Sequence, residues 1–412
     1  MTMIQARLRD ENDLLEFLQS LPHQHWRSYS RQKQEAYIDL LDYMSSFFNQ
    51  SQTNFFLKNA RPSGITKNIL TKKTRLSLIE RFTRQSRAEM TAHFFMEGLF
   101  GLNQMGFFWH EFSPSQQSVM LSQLISLAPF FTHSHLSKLL KCISDWTMHP
   151  DQLKLIKGPT FNVIWQFLPH LNHEDLFNLL FVLRCFKFRR AINSQFTLKL
   201  LSVLESHLSF YGPSQFADLI LMSQILNIKW DLMSLSFKCN LLWYAAGLSS
   251  LFDVIDLQNL LLGLGAINVD WKDLCEFLEP SLVTQFVTHQ TELDKKIYVN
   301  IFYGLGLVNA TWSDLNGLIR ELLKRKIFTT FEGLNQKQAY RLVIGISILD
   351  YPISLCELQQ LESIIAYSPQ NLSSKQSHAL DRAYDQIRKR LLPLTESKIL
   401  NPVIENDNML CY

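Results

Sequence analysis

Two stretches of the sequence, LQNLLLGLGAINVDW at residues 257–271 and YVNIFYGLGLVNATW at residues 298–312, align without a gap. Both contain an apolar stripe at helical spacing, the tripeptide Gly-Leu-Gly, a short turn and a closing tryptophan. Trp271 and Trp312 are therefore 41 residues apart. Internal repetition at this length is typical of stacked supersecondary units. The pair predicts a repeat fold, which usually binds its ligand along an extended surface.

The pattern returns seven times when the tryptophan position is taken as the anchor, at intervals of 40 or 41 residues. Seven, ten and eleven residues before the anchor, nearly every copy has an apolar side chain, and on a 3.6-residue period these positions form one buried face. A second stripe, such as Leu274, Leu278 and Leu282, follows the anchor. The sequence thus predicts an all-α fold, an α-solenoid of about seven helix-turn-helix repeats. The anchors are Trp109, Pro150, Arg190, Trp230, Trp271, Trp312 and Ile353.

Glycine recurs eight residues before the anchor, in four of the seven copies. Glycine inside a helix costs about 1 kcal/mol relative to alanine. Its recurrence therefore predicts that the backbones of neighbouring repeats approach closely there. The column reads Gly101, Cys142, Val182, Met222, Gly263, Gly304 and Gly345.

The repeat register divides the chain into four parts. Residues 1–90 are predicted to form a helical N-terminal region, residues 91–367 the repeat array, residues 368–392 a closing helix and residues 393–412 a flexible tail with two prolines. The six cysteines form no CxxC pair, the start lacks a signal-peptide core, and no apolar stretch is long enough to cross a bilayer. A soluble, cytoplasmic protein is expected. The alternative is secretion into a host cell through a signal in the C-terminal tail.

No catalytic or cofactor-binding signature is found in the sequence. It contains no Gly-x-Ser-x-Gly elbow, His-Glu-x-x-His motif, Walker loop or kinase signature. His133-x-His135 and His170-x-x-His173 have no second cluster at metal-ligand spacing, so a structural or surface role is the preferred interpretation. The tryptophans after the turn could stack bases, but their fixed place favours wedges between repeats. A non-enzymatic protein without cofactor or metal is predicted.

A polar residue stands twelve residues before the anchor in every repeat, beside strongly apolar columns. This predicts one exposed polar strip along the first helices. Such side chains can hydrogen-bond base edges or phosphates, as in proteins that read one base per repeat. Two alternatives remain open, a peptide-binding groove and a face that is polar only because it meets water. The column is Glu97, Lys138, Asn178, Asp218, Asn259, Asn300 and Arg341.

The net charge of +3 is small, but positive charge is concentrated in one segment. Between Lys58 and Arg87, nine basic residues stand against the single acidic residue Glu80. Such a segment, with Lys72, Lys73 and Arg75 at its centre, could contact phosphates. The alternative is a solvated helix face. The oligomeric state is left open by the sequence.

The core Leu-x-Asn-Leu-Leu-x-Gly-Leu-Gly-x(5)-Trp-x-x-Leu resembles the repeats of the octotricopeptide proteins and of the related Fas-activated serine/threonine kinase-like proteins. It is also similar to helical-repeat proteins of intracellular bacteria such as Legionella and Coxiella. The resemblance covers roughly residues 90–365 and implies RNA binding. Too few residues follow for the nuclease-like RAP domain that closes many members of the family. The leading hypothesis is binding of single-stranded RNA along the polar strip, and the alternative is a protein-interaction scaffold, for example a secreted effector.

Overall fold

The computed structural model describes residues 11–84, 90–146, 148–185, 194–224, 230–288, 294–330, 333–366 and 372–399. Within these ranges, 19 α-helices and several single 3₁₀ turns account for the regular structure, and no strand occurs. The all-α prediction is confirmed. The helices are grouped in two units, Met1–Leu204 and Glu205–Tyr412. Arg87 and the anchor Arg190 lie outside the described residues.

The N-terminal unit alternates first helices, which carry odd numbers here, with second helices, which carry even numbers. Each first helix packs against the first helices before and after it, and the second helices from α2 to α8 also contact one another in chain order. The helices are α1 (Glu11–Ser20), α2 (Arg31–Met44), α3 (Gln50–Ala60), α4 (Lys72–Thr83), α5 (Ala92–Gln104), α6 (Pro114–Leu127), α7 (His133–Asp145), α8 (Pro150–Phe167), α9 (His173–Cys185) and α10 (Ser194–Glu205).

The C-terminal unit has the same alternation. Its first helices α11, α13, α15 and α17 form the most extensively packed row of the protein, and α19 closes the row against α17. The helices are α11 (Pro213–Ser223), α12 (Leu235–Leu248), α13 (Val254–Ala266), α14 (Cys275–Thr288), α15 (Lys295–Leu307), α16 (Gly317–Thr330), α17 (Gln336–Ile348), α18 (Leu355–Ala366) and α19 (Ser374–Ile399). In each unit, the first helices therefore pack against their neighbours in chain order, as the α-solenoid prediction requires.

Several of the first helices begin at capping boxes. In α17, the side chain of Asn335 accepts a hydrogen bond of 3.0 Å from the backbone N–H of Gln338, and Gln338 Oε1 accepts one of 2.9 Å from the backbone N–H of Asn335. Thr132 with His135 and Asp253 with Asp256 do the same for α7 and α13. The pair of bonds satisfies donors that a helix start otherwise leaves unpaired.

Glycine permits the close packing of the first helices. A Cβ added at Gly101 would lie 2.3 Å from the carbonyl oxygen of Leu57, and one added at Gly263 would lie 2.6 Å from the carbonyl carbon of Ile220. At Gly304 the nearest atom would be 2.9 Å away, on Leu261. These distances leave no room for a side chain. The predicted close approach of neighbouring backbones is confirmed at these positions.

The turn after each first helix has a recurring backbone geometry. Asn268, Asn309 and Asp350, spaced by 41 residues, adopt positive φ, and the equivalent Gly106 has φ of 89°. These residues end the helix in the left-handed conformation that glycine and asparagine tolerate best. The chain then reverses toward the second helix, so the turn fixes the angle of each helix pair.

Helix pairs also occur before residue 91, where the sequence predicted only a helical N-terminal region. The backbone N–H of Trp26 donates to the carbonyl oxygen of Ser63 at 2.5 Å, and that of Lys67 donates to Met105 at 2.9 Å. Trp230 and Ile267 form the same bond at 2.6 Å. The repeat register thus includes Trp26 and Lys67 as anchors, and α1 to α4 are built like the pairs that follow.

The closing helix is longer than predicted. Helix α19 runs from Ser374 to Ile399, whereas the sequence placed its end at residue 392. Residues 393–399, predicted as part of a flexible tail, are helical, and residues 400–412 lie outside the described part of the chain. None of the described helices combines the length and the apolar character needed to cross a membrane.

Candidate binding surfaces

In the N-terminal unit, the polar column lies between neighbouring first helices. Lys138 on α7 donates a hydrogen bond to the carboxylate of Glu97 on α5, and the two form an ion pair. Their side chains are only 21% and 11% exposed, respectively. Ser144 Oγ on α7 donates a hydrogen bond of 3.2 Å to Asn178 Oδ1 on α9. Each of these contacts joins one repeat to the next.

Burial and the charge of Lys138 both affect the pKa values of neighbouring groups. Burial alone would raise the pKa of Glu97, but the hydrogen bond and charge of Lys138, with smaller effects from Lys58 and His93, hold the pKa of this carboxyl below its ordinary value. Burial lowers the pKa of His135, and the nearby His93 and Lys138 lower it further. Glu97 is therefore a structural anion whose charge is neutralised by Lys138.

In the C-terminal unit, the same column forms a ladder of amides and charges. Asn259 Nδ2 donates to Asp218 Oδ1 at 2.8 Å, linking α13 to α11. Asn300 Nδ2 on α15 donates to Gln258 Oε1 on α13 at 2.9 Å. The guanidinium of Arg341 on α17 donates to Asn300 Oδ1, so the buried Asn300 has a partner on each side.

The predicted exposed strip is therefore corrected. Glu97 and Asn300 are buried, and the other column members are only partly exposed. The polarity of the column is explained by hydrogen bonds between helices, because a buried polar group requires a partner. Lys138 and Arg341 also lie over the rings of Phe100 and Tyr303, each 5.9 Å from the ring centroid. Ligand binding by the column stays a prediction.

An apolar row lies beside this ladder in the C-terminal unit. It consists of the side chains nine residues before each anchor, and all of them are half-buried. The face of the first helices is consequently a mixture of apolar side chains and satisfied polar groups. The row is Leu221, Leu262, Tyr303 and Ile344.

The basic segment lies on exposed surface in its described part. Lys72 and Lys73 are exposed at the start of α4. Arg75 is half-buried, and its Nε is buried without a hydrogen-bond partner among the described residues. Lys67 is paired with Glu111 at 2.8 Å. The remaining exposed basic residues of the segment are Lys58, Arg61, Arg81 and Arg84.

The anchor tryptophans are packed inside the repeats. Trp109, Trp230 and Trp271 are buried. Trp312 is half-buried and meets the ring of Tyr351 edge-on, with 4.8 Å between centroids. The three buried indoles present no face to a ligand, which supports wedges rather than base-stacking platforms at those positions. For the half-buried Trp312, the same interpretation stays a prediction.

A surface that the sequence did not reveal is centred on helix α12. Trp243 is 78% exposed and Leu235 is 76% exposed on this helix. The 3₁₀ turns at 208–210 and 249–251 both contact α12, and they carry Phe210 and Leu251, which are 61% and 63% exposed. We call these four residues the α12 patch. Large apolar side chains exposed on one helix and its neighbouring turns are the kind of surface that interaction sites use.

Part of the α12 patch belongs to a repeated position. Phe210 and Leu251 each stand two residues before the N-cap of a first helix. In the N-terminal unit, Phe47 and Phe130 hold the same position and are also exposed. Their spacing of 83 residues corresponds to two repeats. The repeat register contained this signal, but an apolar column is ordinarily interpreted as core.

Within the described residues, no group of three or more histidine, cysteine, aspartate or glutamate side chains could hold a metal ion. No protein-family model matches the sequence, and no curated protein matches it.

Proposed function

We propose that this protein is a non-catalytic helical-repeat scaffold whose α12 patch binds a protein segment with apolar side chains. The single observation that carries the proposal is the exposure of Trp243, Leu235, Leu251 and Phe210 on one helix and the two turns that contact it. Tryptophan is the residue type most enriched among interface residues that dominate binding energy. A fully exposed indole is costly in water and gains most from burial.

The surroundings of the α12 patch fit a protein partner better than a nucleic acid. The exposed residues Ser209 and Ser250, next to Phe210 and Leu251, carry no charge. The charged residues near the patch, Lys238 and Asp253, are of opposite sign, and an apolar centre with a polar rim is the usual composition of a protein interface. A phosphate backbone would instead require cationic side chains. Binding at this surface should therefore depend only weakly on salt.

A displayed library of random peptides tests the proposal. Peptides enriched on the whole protein should be rich in apolar residues. Their affinity, measured by fluorescence anisotropy, should fall at least about tenfold in Trp243→Glu, since hot-spot residues contribute about 2 kcal/mol or more. Leu355→Glu, at an exposed leucine of α18, is the matched control and should bind normally. Failure to enrich peptides, or equal binding by both variants, would refute the proposal.

Single-stranded RNA binding is the second candidate, and the exposed basic segment favours it. Lys72, Lys73 and Arg81 are free of ion pairs within the described residues. The resemblance of the repeat core to octotricopeptide repeats also supports RNA. An anisotropy titration with random single-stranded RNA at two salt concentrations tests it. The affinity should fall steeply with salt. In the double variant Lys72→Gln, Lys73→Gln, the slope of log affinity against log salt concentration should be smaller by about 1.4.

We further propose a reducing compartment for the protein, on the basis of its scattered cysteines. The cytoplasm is the first candidate, and the interior of a host cell, reached by secretion, is the alternative. Fusion to an adenylate-cyclase reporter that is active only in host cytoplasm would separate them.

A further inference from the structure

A pocket of about 560 Å³ lies among the first turns of the N-terminal unit. Its walls come from the turn His25–Arg27, which follows α1, and from the turn between Arg61 and Ile69, which follows α3. The backbone N–H of Trp26 donates to the carbonyl oxygen of Ser63 at 2.5 Å and holds the two turns together. This is the same hydrogen bond that joins successive repeats elsewhere, so the pocket is part of the repeat architecture.

Hydrogen-bond donors with positive charge line this pocket. Arg27 and Arg61 are both exposed lining residues, and neither is ion-paired within the described part of the chain. Thr66 contributes a hydroxyl group. None of the residues that line the pocket is acidic. Two arginines without carboxylate partners in the described part of the chain therefore line one open volume.

The imidazole of His25 is a third polar group in the lining, and it has a backbone hydrogen bond. The N–H of Arg27 donates to Nδ1 of His25 at 3.2 Å. Because Nδ1 accepts this bond, the proton of the neutral imidazole resides on Nε2. His25 thus offers an Nε2–H donor on the same wall as Arg27.

Gly64 makes room for the imidazole. Its φ is +86°, and an added Cβ would lie 2.5 Å from both Cε1 and Nε2 of His25. The ring is therefore seated directly against the glycine backbone. A side chain at this position would both strain the turn and displace the ring. The position of His25 is set by the fold rather than by free rotation on the surface.

We propose that this pocket binds a phosphate monoester group. A monoester carries a charge of about −1.5 to −2 at pH 7 and has three acceptor oxygens. A planar guanidinium such as that of Arg27 or Arg61 can donate two parallel hydrogen bonds to phosphate oxygens, which an ammonium group cannot do. The Nε2–H of His25 and the hydroxyl of Thr66 supply further donors. The site goes beyond the scaffold function, since it lies in the N-terminal unit and the α12 patch lies in the other.

Titration calorimetry with three probes tests the proposal and identifies the source of the group. The probes are inorganic phosphate, O-phosphoserine and adenosine monophosphate, each at pH 7.5 and low salt with the full chain. We expect at least one probe to bind saturably. The preferred probe shows whether a free anion, a modified protein or a nucleotide carries the phosphate.

The double variant Arg27→Gln, Arg61→Gln should weaken that binding at least about tenfold, since it removes two charge-assisted contacts. Arg184→Gln, an exposed arginine of α9 outside both the pocket and the basic segment, is the matched control and should leave affinity unchanged. Gly64→Ala should also weaken binding through displacement of His25. The absence of saturable binding by all three probes would overturn the proposal. So would equal affinities of the double variant and the wild-type protein.

Discussion

The backbone N–H of Trp271 donates a hydrogen bond of 2.6 Å to the carbonyl oxygen of Val308, the residue that ends the next first helix. The indole ring is buried beside this bond, yet its Nε1 has no hydrogen-bond partner within the described residues. Trp109 differs, because its Nε1 donates to Gln152 Oε1 at 2.8 Å. The two tryptophans lie in equivalent turns, but only the indole N–H of Trp109 is hydrogen-bonded within the described residues.

This difference predicts unequal costs for the same substitution. Trp271→Phe removes an unsatisfied donor together with part of the ring. Trp109→Phe removes a similar volume and also breaks a hydrogen bond to Gln152 Oε1, which keeps only the bond from the backbone N–H of His149. We expect Trp109→Phe to lower the free energy of unfolding by about 1 kcal/mol more than Trp271→Phe. Urea denaturation of both variants measures the difference. Equal costs would show that the indole hydrogen bond contributes no stability.

The buried ion pair predicts a destabilising effect at Lys138. Lys138→Glu should lower the free energy of unfolding by about 1–3 kcal/mol, because it leaves the buried carboxylate of Glu97 facing a like charge. Lys141 on the same helix pairs with Asp145 at 2.8 Å on a more exposed surface. Lys141→Glu should therefore cost less than about 1 kcal/mol. A similar cost for both variants in thermal unfolding would contradict this prediction.

The pair also predicts a pH dependence. Since the pKa of Glu97 is lowered in the folded protein, its contribution to stability is present above the ordinary glutamate value of 4.5 and declines as the pH falls below it. The stability difference between the wild type and Lys138→Met should accordingly shrink from pH 6 to pH 3. Unfolding curves of both proteins at these two pH values test whether the difference shrinks as predicted.

Close backbone approach predicts opposite effects of alanine at two helical glycines. At Gly263 the added Cβ would lie 2.6 Å from backbone atoms of α11, which cannot rotate away. We expect Gly263→Ala to destabilise the protein by about 1–3 kcal/mol. Gly247 on α12 has no atom within 4 Å of the corresponding point, so Gly247→Ala should stabilise by up to about 1 kcal/mol. Denaturation midpoints that move in the same direction would contradict the packing argument.

The repeat fold was predictable from the sequence because burial fixes the period of its apolar and glycine columns. The exposure of the polar column was not predictable, because it depends on the separation between helices. Gly263 brings α13 so close to α11 that Asn259 reaches Asp218. The α12 patch was missed because an apolar residue such as Trp243 is expected to be buried, whereas it is exposed. The N-terminal pairs were missed because Lys67 occupies a tryptophan position.

The last prediction concerns Asp256, whose pKa is raised in the folded protein, whereas that of Glu97 is lowered. Asp256 is buried at the start of α13 and accepts hydrogen bonds of 3.2 Å from the backbone N–H of Asp253 and from Ser214 Oγ. Burial raises the pKa of this carboxyl, the charges of Asp253 and Asp218 add to the rise, and the two hydrogen bonds only partly offset it. The native state therefore holds the proton more strongly than the unfolded chain does. Ionisation of Asp256 must cost stability as the pH rises above the ordinary value of 3.8.

Asp256→Asn keeps an oxygen that can accept both bonds and removes the charge. We expect this variant to be more stable than the wild type at pH 7 and equally stable near pH 3, where the wild-type carboxyl is protonated. Glu97→Gln is the control of opposite sign and should be less stable than the wild type at pH 7, because it weakens the contact with Lys138. If Asp256→Asn is destabilised at pH 7 by as much as Glu97→Gln, the carboxylate of Asp256 stabilises α13 despite its burial.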